Sequence, residues 1–183
     1  MSDTSLGPLP KAVKGGCLCA AVRYSVNFPT DHDFSAKNAI CQCTQCRKQT
    51  GSVFAAFFLV PLSAVEWQSK DATTPGHQFP AALNTYSASK LGSRGFCGSC
   101  GSFLFWRMTD GDRVSLTVGS LDGLYLFGEG AGEGEGADVP AEGFGRAICN
   151  GRGIVEWCDN EIKGVTDDIP LLWKGKRNQQ DSE

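Results

Sequence analysis

The sequence predicts a mainly β domain built of small packed antiparallel sheets, and three observations carry that expectation. Residues 18–28 alternate apolar and polar side chains with the period of two of a half-buried strand. Further short stretches rich in Val, Phe and Leu are punctuated by Gly, Pro and Asp, while little of the chain reads as helix. Seven of the nine cysteines fall into three tight clusters, Cys17-x-Cys19, Cys41-x-Cys43-x2-Cys46 and Cys97-x2-Cys100, the spacing of metal knuckles that pin short strands together.

Taken in order, residues 1–13 read as a disordered leader. In the strand expected over 18–28, Leu18, Ala20, Val22, Tyr24, Val26 and Phe28 line one face, and Cys17, Cys19, Arg23, Ser25 and Asn27 line the other. Both thiols of the first cluster then point away from the apolar stripe. Residues 29–38 read as a loop, and the second cluster leads into one helical turn at 45–49. A buried strand over 53–60 is stopped by Pro61, which cannot continue a sheet ladder. Residues 68–80, with Pro75, Gly76 and Pro80, form a loop, followed by short strands at 82–87 and 94–96. The third cluster lies in Phe96-Cys97-Gly98-Ser99-Cys100-Gly101, where glycine allows the tight turn a knuckle needs. Residues 102–107 and 114–118 alternate across an Asp110-Gly111-Asp112 turn and read as a hairpin. The Gly/Glu-rich stretch 128–145 has no periodicity and reads as a flexible, acidic, solvated insertion rather than a lid. A last short strand falls at 153–157, and 174–183 form a frayed polar tail. No internal repeat is present, and residues 14–173 are expected to form one domain.

Composition narrows the function classes. With 183 residues and 41% hydrophobic content, the chain can bury a real core without disulfide staples. A net charge of −3 and the lack of a long basic run argue against nucleic-acid binding. Residues 1–14 hold no apolar segment of signal-peptide length, and the longest apolar run, 53–62, is too short to span a bilayer. The expected setting is the cytoplasm, where disulfides are rare. An odd count of nine cysteines also fits metal ligation better than a closed disulfide framework.

Tetrahedral zinc takes four ligands, so seven clustered cysteines are one short of two closed sites. The middle cluster has enough thiols to hold a metal by itself. The outer clusters, Cys17, Cys19, Cys97 and Cys100, together make a four-ligand structural zinc site. A ribbon pairing Cys43, Cys46, Cys97 and Cys100 is the alternative partition. In the first arrangement Cys41, Cys43 and Cys46 leave one position open, the mark of a catalytic zinc. Three thiolates make zinc a weak Lewis acid and a poor generator of hydroxide, but a good seat for an incoming thiol, which loses its proton there and stays nucleophilic. His32 and His77 lie in loops and read as surface histidines. Cys149 and Cys158 are isolated and read as structural thiols. Arg47 borders the open site and could meet a substrate carboxylate, whereas Arg23 reads as an ordinary surface charge.

Gly15-Gly16-Cys17-Leu18-Cys19-Ala20-Ala21-Val22-Arg23-Tyr24, then Cys41-Gln42-Cys43-Thr44-Gln45-Cys46-Arg47 with Thr50-Gly51-Ser52, then Phe96-Cys97-Gly98-Ser99-Cys100-Gly101, resemble the motifs of the glutathione-dependent formaldehyde-activating enzyme family, whose domain centromere protein V shares. The resemblance spans roughly residues 14–120. It implies a β-tent fold, a structural zinc on Cys17, Cys19, Cys97 and Cys100, and a catalytic zinc on Cys41, Cys43 and Cys46. It implies a carbon–sulfur lyase that joins glutathione and formaldehyde into S-hydroxymethylglutathione, or acts on another glutathione conjugate. Gln45, Arg47 and Ser52 are the candidates for orienting that substrate. The readings set against it are a non-catalytic zinc module that binds a protein partner, and a glutathione carrier. The chain departs from the family in having no histidine after His77 and in the 128–145 insertion.

Overall fold

Strands make up most of the regular structure, as the alternating sequence requires. A computed structural model describes residues 5–69, 79–131 and 138–178. The chain divides into two compact units, each discontinuous in sequence: a first from Lys11–Asp31 and Phe57–Asp122, and a second from Met1–Pro10, His32–Ala56 and Gly123–Glu183.

In the first unit, β1 (Ala12–Gly16) and β2 (Val22–Asn27) pair antiparallel from Ala12 opposite Asn27 to Gly16 opposite Arg23, and β2 pairs antiparallel with β5 (Val65–Ser69). Val22, Tyr24 and Val26 of β2 are buried, as the period-two pattern requires. β1 begins two residues inside the expected leader, because Val13 is fully buried and the backbone of Ala12 and Val13 is paired with β2. β5 was not foreseen, although Val65 and Trp67 alternate with Glu66 and Gln68 and are buried.

The same unit holds an antiparallel run in the order β4 (Ala55–Pro61), β9 (Arg113–Thr117), β8 (Phe103–Met108), β7 (Gly92–Cys97), β6 (Leu83–Ser89). The strands expected around 53–60, 82–87, 94–96, 102–107 and 114–118 all appear with small shifts of their ends. Asp110-Gly111-Asp112 joins β8 to β9, whose pairing sets Phe105 opposite Leu116. The core of this unit is aromatic. Trp67 lies edge-on to Tyr24 at 5.6 Å and tilted against Phe105 at 5.5 Å, and Phe79 stacks on Phe105 at 5.5 Å. Each such pair contributes about 0.5–1.5 kcal/mol beyond its buried area.

Gly95 explains how the Phe105 ring fits. It sits opposite Phe105 in the β7–β8 register, and a methyl carbon added there would lie 2.0 Å from the ring. Gly95→Ala is therefore expected to lower stability by about 1–3 kcal/mol through overpacking. A urea denaturation midpoint equal to that of the parent would mean the ring can move aside.

The second unit contains a short parallel arrangement in the order β11 (Lys176–Arg177), β10 (Ile154–Glu156), β3 (Asn38–Cys41). Only antiparallel pairing was expected. The strand foreseen near 153–157 is β10, whereas β3, which begins at the last residue of the loop expected over 29–38, was not foreseen. The first residues of the expected frayed tail form β11, held by its pairing with β10 and by an Arg177–Glu161 ion pair. Ile40, Val155, Cys158 and Leu172 form the core here, with Phe54, Ala56, Ile169 and Leu171 packed against it.

Among the described residues there are three short α-helices, α1 (Thr44–Thr50), α2 (Gly123–Phe127) and α3 (Gly145–Ile148), and four single turns of 3-10 helix. Part of the Gly/Glu-rich stretch, 132–137, lies outside the described residues, as does 70–78 of the expected 68–80 loop. The ends of the stretch are fastened rather than flexible: Gly128 donates to the Leu124 carbonyl, Glu129 to Ala141 and Phe144 to Tyr125, and the Phe144 side chain is buried. Among the described residues no helix is long and apolar enough to cross a membrane.

Candidate metal centres

The four outer cysteines meet within the first unit. The sulfurs of Cys17, Cys19, Cys97 and Cys100 all lie within 4.8 Å of one another. Cys17 and Cys19 are 3.6 Å apart, and Cys19 and Cys97 3.7 Å. Four sulfurs each about 2.3 Å from one tetrahedral zinc would sit about 3.8 Å apart, so the spacing fits a shared ion. It is far too long for a disulfide, whose bond is about 2.05 Å.

That geometry corrects the strand expected over 18–28. Residues two apart on a strand do face the same way, but their α-carbons are about 7 Å apart, too far for two short side chains to share one ion comfortably. The chain turns instead. Ala20 donates to the Cys17 carbonyl and Cys17 to the Val22 carbonyl, Ala20 takes a φ of 60°, and β2 starts only at Val22. Leu18, assigned to the apolar stripe, is 90% exposed at the tip of this knuckle. The second knuckle closes β7: Gly101, at φ 75°, donates to the Cys97 carbonyl, and Cys97 donates to the carbonyl of Ser102.

Backbone and hydroxyl groups prepare these sulfurs for negative charge. The Val22 amide donates to the Cys17 sulfur at 3.2 Å. The Ser102 hydroxyl stands 3.2 Å from the Cys100 sulfur and also accepts from the Leu18 amide at 3.0 Å, tying one knuckle to the other. The Ser102 contact holds the Cys100 thiol down to about 5, whereas burial pushes Cys17 up to about 12. Arg23 makes an ion pair with Asp122, whose hydrogen bond raises the guanidinium's affinity for its proton. Its partner is thus internal, and it has a structural part rather than that of a free surface charge.

The middle cluster lies within the second unit, and the sulfurs of Cys41, Cys43 and Cys46 also lie within 4.8 Å of one another. Three local features assemble it. β3 ends at buried Cys41. Cys43, with extended backbone at φ −62° and ψ 155°, is the N-cap of α1, and its sulfur accepts the Cys46 amide at 3.2 Å. Cys46 then falls in the first helical turn, on the same side as the cap. Gly51, at φ 67°, ends the helix in the left-handed conformation that favours glycine. Hydrogen bonds from Cys41 and Cys46 hold the Cys43 thiol down to about 2, and the same contacts with Cys43 and Cys46 push Cys41 up. The Cys43 thiolate forms readily while Cys41 resists losing its proton, a state that a bound cation relieves. Each of the two groups could hold a metal ion.

Around the middle cluster, the half-buried Arg47 donates through one guanidinium nitrogen to the Asn160 carbonyl at 3.2 Å. Gln45 and Ser52 are exposed on α1 and just after it. The amide of Gln42 donates to the Glu156 carbonyl at 3.1 Å. Neither Gln42 nor Asn160 was singled out from the sequence. Gln42 carried a signal, being a polar residue inside a cysteine motif, while Asn160 reaches the site only through folding. His32 lies edge-on to Phe34 with ring centroids 4.5 Å apart, and His77 is outside the described residues. Cys158 is buried and its thiol donates to the Val155 carbonyl, and burial raises the pKa of both Cys158 and Cys149.

The model of the glutathione-dependent formaldehyde-activating enzyme family matches residues 12–130. No curated protein matches the chain. The crystal structure of a Rhodobacter sphaeroides protein is similar at 23% identity with a TM-score of 0.45, covering 60% of this chain and 88% of the other.

Proposed function

Because the chain belongs to the glutathione-dependent formaldehyde-activating enzyme family, we propose that it is a zinc-dependent carbon–sulfur lyase that makes or cleaves S-hydroxymethylglutathione or another glutathione conjugate. The observation that carries this reading is the three-sulfur group of Cys41, Cys43 and Cys46 beside a separate four-sulfur group. Four ligands complete a structural site, and three leave a place for substrate. A zinc ion held by the three would supply a position where a thiol binds as thiolate and remains nucleophilic.

The chain's own groups do the rest. Cys41 and Cys46, both buried, fix two sulfurs, and the Cys46 amide fixes the third by its hydrogen bond to Cys43. The Asn160 carbonyl orients Arg47, leaving its remaining N–H groups for a glutathione carboxylate. Gln45 and Ser52, exposed beside the cluster, offer further hydrogen bonds to the substrate. In the forward direction the thiol sulfur bonds to the aldehyde carbon, the carbonyl π pair moves to oxygen, and that oxygen takes up the proton the thiol gave up. The reverse reaction returns the pair to the carbonyl and expels the thiolate. The cytoplasm, rich in reduced thiols, is the setting these clusters need.

Two zinc ions per chain and a glutathione-dependent acceleration of formaldehyde adduct formation are expected, read by metal analysis and by nuclear magnetic resonance of the adduct. Two bound zinc ions with no acceleration would turn the reading toward a glutathione carrier. A chain that binds neither thiol nor aldehyde would point to a module that binds a protein partner.

A further inference from the structure

Of the nine cysteines, Cys19 alone is exposed, and it belongs to the four-sulfur group rather than the open one. A site with a purely structural task is best served by burying its sulfurs, as Cys17 and Cys97 are buried, at 5% and 0% exposure. Cys19 stands instead at the tip of the first knuckle, beside Leu18, which is 90% exposed. The residue is open to small solutes, while three other sulfurs stand within 4.8 Å of its own. An accessible sulfur with a second one waiting beside it is the arrangement that oxidants convert to a disulfide.

Two sulfurs are near enough to be its partner, Cys17 at 3.6 Å and Cys97 at 3.7 Å. Distance does not choose between them, but the chain does. Cys17 is fixed by its own turn: its amide donates to the Val22 carbonyl, its carbonyl accepts from the Ala20 amide, and its sulfur accepts from the Val22 amide at 3.2 Å. A bond to Cys19, two residues on, would close a small ring through that turn, which already holds Ala20 at φ 60°, a strained value for a residue with a side chain. Cys97 lies on the other knuckle. Bonding it to Cys19 asks the two sulfurs to close from 3.7 Å to the disulfide length of about 2.05 Å, roughly 0.8 Å of travel each, with no small ring to form.

We infer that Cys19 and Cys97 are a redox-modification site, a pair that hydrogen peroxide converts to a disulfide, opening the four-sulfur metal site while keeping its two knuckles joined. The inference rests on the four-sulfur group holding zinc and not on the lyase reading. The Cys19 sulfur attacks one peroxide oxygen, the O–O bond breaks and hydroxide leaves, giving a sulfenic acid. The Cys97 sulfur attacks that sulfur, the S–O bond breaks and a second hydroxide leaves. The two sulfurs lose two electrons, the peroxide gains them, and the hydroxides take protons from solvent. Cys17 and Cys100 remain as ligands, two short of the four that a structural zinc takes. The new bond spans the same 78 positions that the metal site spanned, and closing so long a loop restricts the unfolded chain. Thiol–disulfide exchange with a reducing thiol reverses the change.

The test treats the full two-zinc protein with hydrogen peroxide. It reads zinc release with a chromophoric indicator, disulfides by peptide mapping and melting by circular dichroism. The expected result is loss of one zinc per chain in step with a Cys19–Cys97 linkage, both reversed by dithiothreitol and zinc. The oxidised protein should still melt cooperatively, below the parent, whereas reduced protein stripped by a chelator should not. Cys43→Ser, which empties the open cluster, should release its remaining zinc in the same way. A Cys17–Cys19 or Cys97–Cys100 linkage as the main product overturns the inference. So does zinc retained after Cys19 is oxidised, or release that accompanies modification of Cys41, Cys43 and Cys46 alone. A parent protein whose four-sulfur group holds no zinc also overturns it and leaves the lyase reading standing. Absence of a glutathione-dependent rate alongside the expected redox behaviour overturns the lyase reading alone.

Discussion

A Cys97→Ala variant is expected not to reach a stable native fold at 37 °C. Cys97 is fully buried, and its sulfur stands 3.7 Å from that of Cys19, across the join between the two knuckles of the first unit. A structural zinc contributes on the order of 10–16 kcal/mol to folding, as much as the whole stability of an ordinary domain, about 5–15 kcal/mol. Removing one thiolate leaves three sulfurs prepared for charge with no complete site to neutralise them. The expected readout is loss of the cooperative melt by circular dichroism, with the same loss when a strong chelator strips the parent protein. A Cys97→Ala variant that melts cooperatively within a few degrees of the parent, one metal short, would remove the structural role from this site.

The second large effect is expected at the middle cluster, and its character is different. Cys43→Ser keeps a capping oxygen for the Cys46 amide, so α1 should persist. What it removes is the sulfur whose thiol the contacts with Cys41 and Cys46 hold down. Metal content should fall from two equivalents to one, and the glutathione-dependent rate should fall by more than about 100-fold, beyond the 10–100-fold typical of outer-shell changes around a metal. The melting temperature should move little, because β3, α1 and the apolar core of Ile40, Val155, Cys158 and Leu172 do not depend on this thiol. Full activity with one metal would place the chemistry elsewhere. The two variants together separate the sites: one costs the fold, the other the reaction.

Both sulfur groups correspond to clusters written plainly in the sequence, since ligands one or two residues apart can meet on one ion whatever the wider topology. The strands of the first unit were legible for a similar reason. Val22, Tyr24 and Val26 declare their burial by alternation, and Asp110-Gly111-Asp112 declares the hairpin. The Cys17–Cys19 segment was misread because the alternation continues back through Ala20 and Leu18, while metal geometry demands a turn there. Alternation reports which way side chains point on a strand and is silent about a ligand that bends the chain. β3 and β11, and the parallel pairing of β10 with them, were hidden for another reason. Each spans four residues or fewer, and their parallel partners lie far apart in sequence, as with Ile154 opposite Ala39, so no turn signal joins them. Asn160 was invisible with them, because its contact to Arg47 runs through a backbone carbonyl that any residue would supply.

The pairing of Cys19 with Cys97 carries a consequence for how the protein is made. The two sulfurs belong to residues 78 positions apart. At a synthesis rate of about 5–20 residues per second, roughly 4–16 s separate the emergence of the first pair of thiols from that of the second. Through that interval Cys17 and Cys19 leave the ribosome as an incomplete chelate, open to oxidants and to competing metals. The yield of folded protein should therefore follow the zinc supply and redox state of the cell during translation, and zinc offered only after synthesis should rescue a smaller share of the chains.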